Sequence, residues 1–176
     1  MGIMCLDSRM SYFIIIRGPA GVGKSTISKR VAEAVRGCYV SFDSILDEHQ
    51  LDVVPPGMDG IPAENFIKGN VIAIQKTKKL LGKGTPIIFD GCFYRKAQYE
   101  HLLASLPAKS FVFSLKAPVE ECIKRDAARV RPIGEDSVRA VHSMVSELEI
   151  GVPVETVGKS EEQVLQKILS YLPTVL

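Results

Sequence analysis

Short apolar runs alternate along the chain with segments in which apolar residues recur every three or four positions. Tyr12 to Arg17 (YFIIIR) is short and rich in β-branched residues, which is typical of a strand buried on both faces of a sheet. From Lys24 to Arg36, the apolar residues Ile27, Val31 and Val35 follow helical spacing and predict an amphipathic helix. Strands that alternate with helices in this way predict a parallel sheet covered by helices.

The same pattern divides the rest of the chain into further strands and helices. Residues 44–62 contain Pro55, Pro56 and Pro62, and they predict an irregular connection. With 176 residues, the chain predicts a single three-layer α/β/α domain over residues 1–176. Strand patterns cover residues 12–17, 38–42, 86–90, 110–115 and 152–157, with helical patterns between and after them, including one over 119–130.

A glycine-rich loop joins the first predicted strand to the first predicted helix. Its sequence, GPAGVGKS, fits G-x-x-x-x-G-K-[ST] at every position. In such a loop, backbone N–H groups and the helix N-terminus face phosphate oxygens, the lysine neutralises the β- and γ-phosphates, and the serine hydroxyl binds Mg²⁺. A chance glycine-rich turn is the alternative, but the flanking strand and helix are the context that the motif requires. We therefore predict a site for the phosphates of ATP or GTP and for Mg²⁺, formed by Gly18, Pro19, Ala20, Gly21, Val22, Gly23, Lys24, Ser25 and Thr26.

Composition narrows the class of protein. The formal net charge is +2, so a general nucleic-acid binder is not indicated. Cys5, Cys38, Cys92 and Cys122 are scattered, as are the histidines, and no metal bound by thiols or imidazoles is predicted. No apolar run reaches the ~18 residues of a membrane span, and the first ten residues are too polar for a signal peptide. We expect a cytoplasmic protein with no membrane attachment and no obligate protein partner.

The loop GPAGVGKST, the five-strand pattern and the arginines late in the chain resemble the P-loop small-molecule and nucleotide kinases. That superfamily includes adenylate kinase, polynucleotide kinase, zeta toxin and chloramphenicol phosphotransferase. The resemblance extends over most of the chain, and it implies the strand order 2-3-1-4-5 and phosphoryl transfer from ATP. No N-K-x-D guanine motif occurs, which argues against a GTPase.

Asp43 follows the second predicted strand, at the sheet edge that faces the phosphate loop. An alcohol that attacks a phosphoryl group loses a proton, and a carboxylate can accept it. The context SFDSIL is similar to the stretch that carries the catalytic aspartate in chloramphenicol phosphotransferase, which implies that Asp43 is a general base. A helix-capping role shared with Ser44 is the alternative. Leu46 stands where polynucleotide kinase has an arginine, which disfavours a polynucleotide acceptor.

Two further candidates follow the third predicted strand. Asp90 ends that strand, where P-loop proteins place a carboxylate that holds Mg²⁺ through water; an ordinary strand-end aspartate before Gly91 is the alternative. The segment DGCFYR is similar to the D-G-x-P-R of nucleotide kinases, whose arginine grips the acceptor. Arg95 comes one residue later than in that motif and the proline is absent, so an exposed residue at a helix start is the alternative.

Arginines in KRDAARVRP are candidates for the residues that close the site. Arg125 and Arg129 are four residues apart, which predicts that they share one helix face. The resemblance to the R-x-x-x-R of adenylate kinases implies that Arg125 stacks on the base and that Arg129 contacts the phosphates, where arginine stabilises shifting charge. Arg131 and Arg139 would complete a short lid over residues 125–139. A solvated helix face with local ion pairs is the alternative.

The leading hypothesis is an ATP-dependent kinase that acts on a hydroxyl group of a small molecule. The acceptor would lie between Asp43, Arg95 and the loop from Ser44 to Pro62, within a substrate-side region over residues 44–82. The resemblance implies that the backbone of Gly158 and Lys159, after the last strand, passes along the adenine edge; an ordinary turn is the alternative. A nucleoside monophosphate kinase is the alternative within this class. An alternative of another class is a nucleotide-binding switch or an ATPase that acts on a protein partner.

Overall fold

The fold is built on a parallel sheet, as the alternation of strand and helix patterns predicts. The computed structural model describes residues 11–173; Cys5 and the polar first ten residues lie outside this range. The sheet has the order β2-β3-β1-β4-β5, so the expected order is confirmed. Its strands are β1 (Tyr12–Arg17), β2 (Cys38–Ser41), β3 (Ile87–Gly91), β4 (Lys109–Lys116) and β5 (Val152–Glu155).

Helices cover both faces of the sheet and complete the three layers. Alternate residues of the fully buried strand β1 face opposite sides, because side chains alternate along a strand. Ile14 and Ile16 pack against α1, α5 and α7 on one side, and Phe13 and Ile15 pack against α2, α3 and α4 on the other. The helices are α1 (Lys24–Ala34), α2 (Phe42–Glu48), α3 (Ala63–Gly82), α4 (Lys96–Ser105), α5 (Val119–Ala127), α6 (Glu135–Glu147) and α7 (Glu161–Leu169).

The carboxyl ends of three neighbouring strands meet at one edge of the sheet. Arg17 of β1 lies beside Gly91 of β3, and Asp90 lies beside Ser41 of β2. Because the strands are parallel, the segments that follow them all leave from this edge. The phosphate loop, Asp90 and the segment that begins at Phe42 are thereby brought together.

The chain departs from the predicted pattern after β2. Residues 44–62 were expected to be irregular, but helix α2 occupies the first part of this segment and begins at Phe42, which had been assigned to the strand. The Ser41 hydroxyl caps the helix by accepting the N–H of Ser44 at 3.2 Å, which replaces a hydrogen bond that the first turn lacks. Asp43 therefore lies in the first turn of a helix and is not the capping residue.

Helix α5 is shorter than its apolar spacing predicts. It ends at Ala127, whereas the pattern extends to Val130. The buried carboxylate of Asp126 accepts the backbone N–H groups of Ile133 (3.0 Å) and Gly134 (3.2 Å), and these hydrogen bonds turn the chain back on itself. The expectation that Arg125 and Arg129 share one helix face is therefore corrected, because Arg129 lies beyond the helix end. Within residues 11–173, no helix is both long and apolar enough to cross a membrane.

Candidate active site

The phosphate loop has the backbone conformation that its glycines predict. Gly21 and Gly23 have φ angles of +80° and +97°, a region that side chains with a Cβ rarely enter. A Cβ on Gly21 would also collide with the carbonyl of Cys122 in α5, so the loop packs closely on that helix. Gly23 is the residue before α1, whose N-terminal N–H groups lie next to the loop. Loop and helix end together form a pocket suited to an anion.

Lys24 is buried inside this loop. Its Nζ donates to the carbonyl of Pro19 at 2.9 Å. Burial lowers the pKa of Lys24, but the adjacent Cys92 and the carboxylates of Asp43 and Asp90 more than offset that effect, and the pKa lies above its usual value. The lysine therefore carries its charge at neutral pH and is available to phosphate oxygens.

The carboxylate of Asp90 is buried, with 2% of the residue exposed. Its Oδ2 accepts a hydrogen bond from the Tyr39 hydroxyl at 2.8 Å, while Oδ1 has no partner among the described residues. A buried carboxylate oxygen without a partner is costly, and a metal ion or its bound water would satisfy it. Ser25, at the start of α1, is exposed and supplies a hydroxyl near the same Tyr39. These oxygen donors fit Mg²⁺, which prefers carboxylates, hydroxyls and water.

Tyr39 is a site residue that the sequence pattern does not predict. Burial raises its pKa, as do the charge of Asp90 and the hydrogen bond to it, and the pKa reaches about 12. The ammonium group of Lys29 lies 5.6 Å from the centre of the ring. The contact with Asp90 crosses from β2 to β3, so it follows only from the order and register of the strands.

Asp43 lies in the first turn of α2, on the solvent side of the same edge. Burial by surrounding protein raises the pKa of its carboxyl group, the charge of Asp90 adds to that, and Lys24 and Arg129 oppose it. The side chain is accessible to water, which screens these charges and limits the size of the effect. A carboxylate with a raised pKa is a stronger proton acceptor, as a general base requires.

A cleft of about 370 Å³ opens beside the phosphate loop. Its walls include the loop backbone, Thr26, Lys159 and the side chain of Arg125. The Arg125 guanidinium donates to Glu121 at 2.8 Å and to the carbonyl of Val22 at 3.3 Å, so it ties α5 to the phosphate loop. Arg125 and Lys159 thus line a cleft that adjoins the phosphate loop, and the role of Arg125 in holding the nucleotide base stays a prediction.

The remaining lid candidates differ in position. Arg129 lines the same cleft with 45% of its side chain exposed, and its Nη1 lies 3.4 Å from Oδ1 of Asp126. Arg139 is not among the residues that line the cleft; it pairs with Glu135 at 2.8 Å and lies 3.6 Å from Glu120. Of the two, only Arg129 is placed to reach a nucleotide in this conformation.

Arg95 contacts the irregular segment after α2. Its Nε donates to the carbonyl of Ile61 at 3.1 Å, and its Nη2 donates to Asp59 at 2.7 Å. The hydroxyl of neighbouring Tyr94 accepts the N–H of Ile61 at 3.0 Å. Arg95 therefore holds this segment against α4 in the structure, and an acceptor would have to compete with Asp59 for it.

A phosphate loop between a buried strand and a helix, on a sheet of order 2-3-1-4-5, defines the fold of the P-loop kinases. The family model described as AAA domain matches residues 13–148, which is more than half of the chain. The chain belongs to this AAA domain family, and its expected resemblance in fold to the P-loop small-molecule kinases is confirmed.

Solved structures share the fold over nearly the whole chain. A sugar kinase from Janibacter sp. has a TM-score of 0.71 at 17% identity, over 92% of this chain and 94% of that one. A gluconokinase from Sinorhizobium meliloti has a TM-score of 0.66 at 14% identity, over 92% and 91%. The tunicamycin resistance protein of Deinococcus radiodurans has a TM-score of 0.62 at 20% identity, over 92% and 95%. Among curated proteins, none matches the sequence.

Proposed function

We propose that the protein is an ATP-dependent kinase that transfers the γ-phosphoryl group to a hydroxyl group of a small-molecule acceptor. The observation that carries the proposal is the position of Asp43 beside the phosphate loop, close enough to Lys24 and Asp90 for the charges of the three groups to affect one another. A carboxylate in this position can accept the proton that an attacking alcohol loses, a role that nucleotide binding alone does not need. The similar sugar kinase and gluconokinase are named for acceptors that bear hydroxyl groups.

In the proposed reaction, the cleft beside the phosphate loop holds ATP with its phosphates in the loop. Lys24 and the loop N–H groups bind the β- and γ-phosphates, and Arg129 contacts the transferred group. Ser25, through its hydroxyl, and Asp90, through water, would hold Mg²⁺, which would supply positive charge to the phosphate oxygens. The acceptor hydroxyl passes its proton to Asp43, its oxygen bonds to the γ-phosphorus, and the bond between that phosphorus and the β,γ-bridging oxygen breaks. ADP and the phosphorylated acceptor leave.

The test measures ADP release from Mg·ATP in the presence of nucleoside monophosphates, nucleosides, sugars, amino alcohols and hydroxylated antibiotics. We expect at least one hydroxyl acceptor to stimulate ADP release. For that acceptor, Asp43→Asn lowers turnover by roughly 10²–10⁴-fold with ATP affinity unchanged, the range that general base catalysis contributes. Asp47→Asn is the matched control, since Asp47 lies one turn further along α2 and is exposed. Normal turnover in Asp43→Asn would remove it from the mechanism.

The acceptor panel also separates the alternative functions. Stimulation by nucleoside monophosphates alone would indicate a nucleoside monophosphate kinase, for which the D-G-x-x-x-R segment is the supporting feature. The contact of Arg95 with Asp59 weighs against that alternative, because it occupies the arginine. Slow hydrolysis without acceptor dependence would indicate a switch or an ATPase with a protein partner.

A further inference from the structure

We propose that Tyr39 is a positioning residue of the metal site, which fixes the carboxylate of Asp90 so that one oxygen remains free for water bound to Mg²⁺. The inference rests on the proposed function, because it assumes a metal ion beside the phosphate loop. It adds a residue that the phosphate-loop motif does not contain.

The two carboxylate oxygens of Asp90 have different surroundings. Oδ2 accepts the Tyr39 hydroxyl at 2.8 Å, and Oδ1 has no partner among the described residues although the side chain is buried. The terminal torsion of an aspartate is broad, so packing alone sets the orientation of its oxygens poorly. A hydrogen bond from a rigid ring fixes that torsion, and it leaves Oδ1 as the free acceptor.

Contacts with neighbouring elements hold the side chain of Tyr39 in place. Its ring is half-buried on β2 and carries the Lys29 ammonium 5.6 Å from its centre. Its hydroxyl also lies near those of Ser25 and Ser41, while its hydrogen bond goes to Asp90. One hydroxyl thus adjoins the carboxylate of β3, the first turn of α1 and the residue that caps α2.

A metal-positioning role and a purely structural role of Tyr39 predict different effects on nucleotide binding. If Tyr39 only stabilised the fold or the loop, its loss would weaken nucleotide binding equally with and without metal. If it orients Asp90, its loss weakens only the metal-dependent part. Residues that orient metal ligands typically change metal affinity by about 10–100-fold when mutated.

The experiment measures the affinity for a non-hydrolysable ATP analogue in Mg²⁺ and in EDTA, and the affinity of the protein–analogue complex for Mn²⁺ by electron paramagnetic resonance. For Tyr39→Phe we expect the Mn²⁺ affinity to fall by about 10-fold and the affinity in EDTA to be unchanged. Tyr12→Phe is the matched control, because the Tyr12 hydroxyl is buried and has no partner among residues 11–173. Tyr12 also lies at the start of β1, the end away from the phosphate loop. The Tyr12→Phe substitution should leave both affinities unchanged.

Asp90→Asn separates this inference from the proposed function. If Asp90→Asn reduces the Mn²⁺ affinity and Tyr39→Phe adds nothing in that background, the two residues act through one another and the inference is supported. If Asp90→Asn reduces it but Tyr39→Phe alone does not, the inference about Tyr39 is wrong and the metal site stands. If neither substitution changes the Mn²⁺ affinity, the inference about Tyr39 and the proposed metal site at Asp90 are both wrong. Because each variant is its own reference with and without metal, a general loss of stability lowers both affinities and counts against the inference.

Discussion

Asp126 offers a direct test of how the arginine-bearing segment after α5 is held. Its carboxylate is 2% exposed, and Oδ2 accepts two backbone N–H groups, from Ile133 at 3.0 Å and from Gly134 at 3.2 Å. Its Oδ1 lies 3.4 Å from Arg129. The change to make is Asp126→Ala, which removes the acceptor and leaves the helix former alanine in the last turn.

The magnitude follows from these contacts. Hydrogen bonds to a charged group contribute about 1.5–3 kcal/mol each, so two of them set an upper limit of about 6 kcal/mol. Ile133 and Gly134 are exposed, and water replaces part of what their N–H groups lose. The ion pair with the half-exposed Arg129 adds at most about 1 kcal/mol. We therefore expect the free energy of unfolding to fall by about 2–3 kcal/mol.

The assay is thermal unfolding followed by circular dichroism, together with the affinity for ATP. A loss of about 2–3 kcal/mol lowers the midpoint by roughly 4–12 °C in a domain of this size. Asp136→Ala is the matched control, since Asp136 is an exposed acid in the first turn of α6. We expect ATP binding to weaken in Asp126→Ala as well, because Arg129 leaves its position at the cleft. A midpoint within 1 °C of the control would refute the claim that Asp126 holds this turn.

Three further predictions concern the reaction itself. Turnover should decline as the pH falls through the pKa of Asp43, which lies above the usual value for an aspartate, because a protonated base cannot accept the acceptor proton. A pH profile of kcat/KM that stayed flat down to the usual aspartate pKa would contradict this. Arg129→Ala should lower turnover by at least about 100-fold while Arg139→Ala, outside the cleft, changes it little; equal effects in single-turnover assays would argue against the assignment. Chelation of divalent ions with EDTA should abolish phosphoryl transfer, and Mg²⁺ should restore it; transfer that persists would oppose a metal-assisted reaction.

The elements that sequence predicts well are those set by local patterns. The phosphate loop was predictable because its glycines, lysine and serine are contiguous. Strand β1 was predictable because Tyr12 to Ile16 form an uninterrupted apolar run, which the structure buries. The predictions that were wrong concern helix ends, which are set by local hydrogen bonds. Ser41 caps the start of α2, where the downstream prolines predicted an irregular segment. Asp126 accepts backbone N–H groups beyond α5, and the helix ends before its apolar spacing does.

What local patterns could not supply are contacts between segments distant in sequence. The Tyr39 hydroxyl meets Asp90 only because β2 pairs with β3, and Arg95 meets Asp59 only because the segment after α2 folds back on α4. Both contacts are polar, and the spacing of polar side chains along a sequence does not predict their partners. The phosphate loop could therefore be identified from a contiguous motif, whereas Asp43, Asp90 and Arg129 were predicted mainly through the resemblance to known kinases.

Arg17 shows how far this limit extends into the core. As the last residue of β1 it fits the buried strand pattern, but it carries a charge that is fully buried, and burial lowers its pKa to about 10. Its guanidinium donates to the carbonyls of Val145 (2.9 Å) and Leu148 (2.8 Å) at the end of α6, and to the Ser114 hydroxyl at 3.0 Å. Carbonyls at a helix C-terminus lack partners and carry partial negative charge, so they compensate a buried cation that forms no ion pair with a carboxylate of residues 11–173. The strand that leads into the phosphate loop is thereby fastened to the end of α6, while Asp126 fastens the turn at its start. Because both ends of α6 are held, we expect any movement of the arginine-bearing segment to involve the residues between α5 and α6, where Arg129 lies.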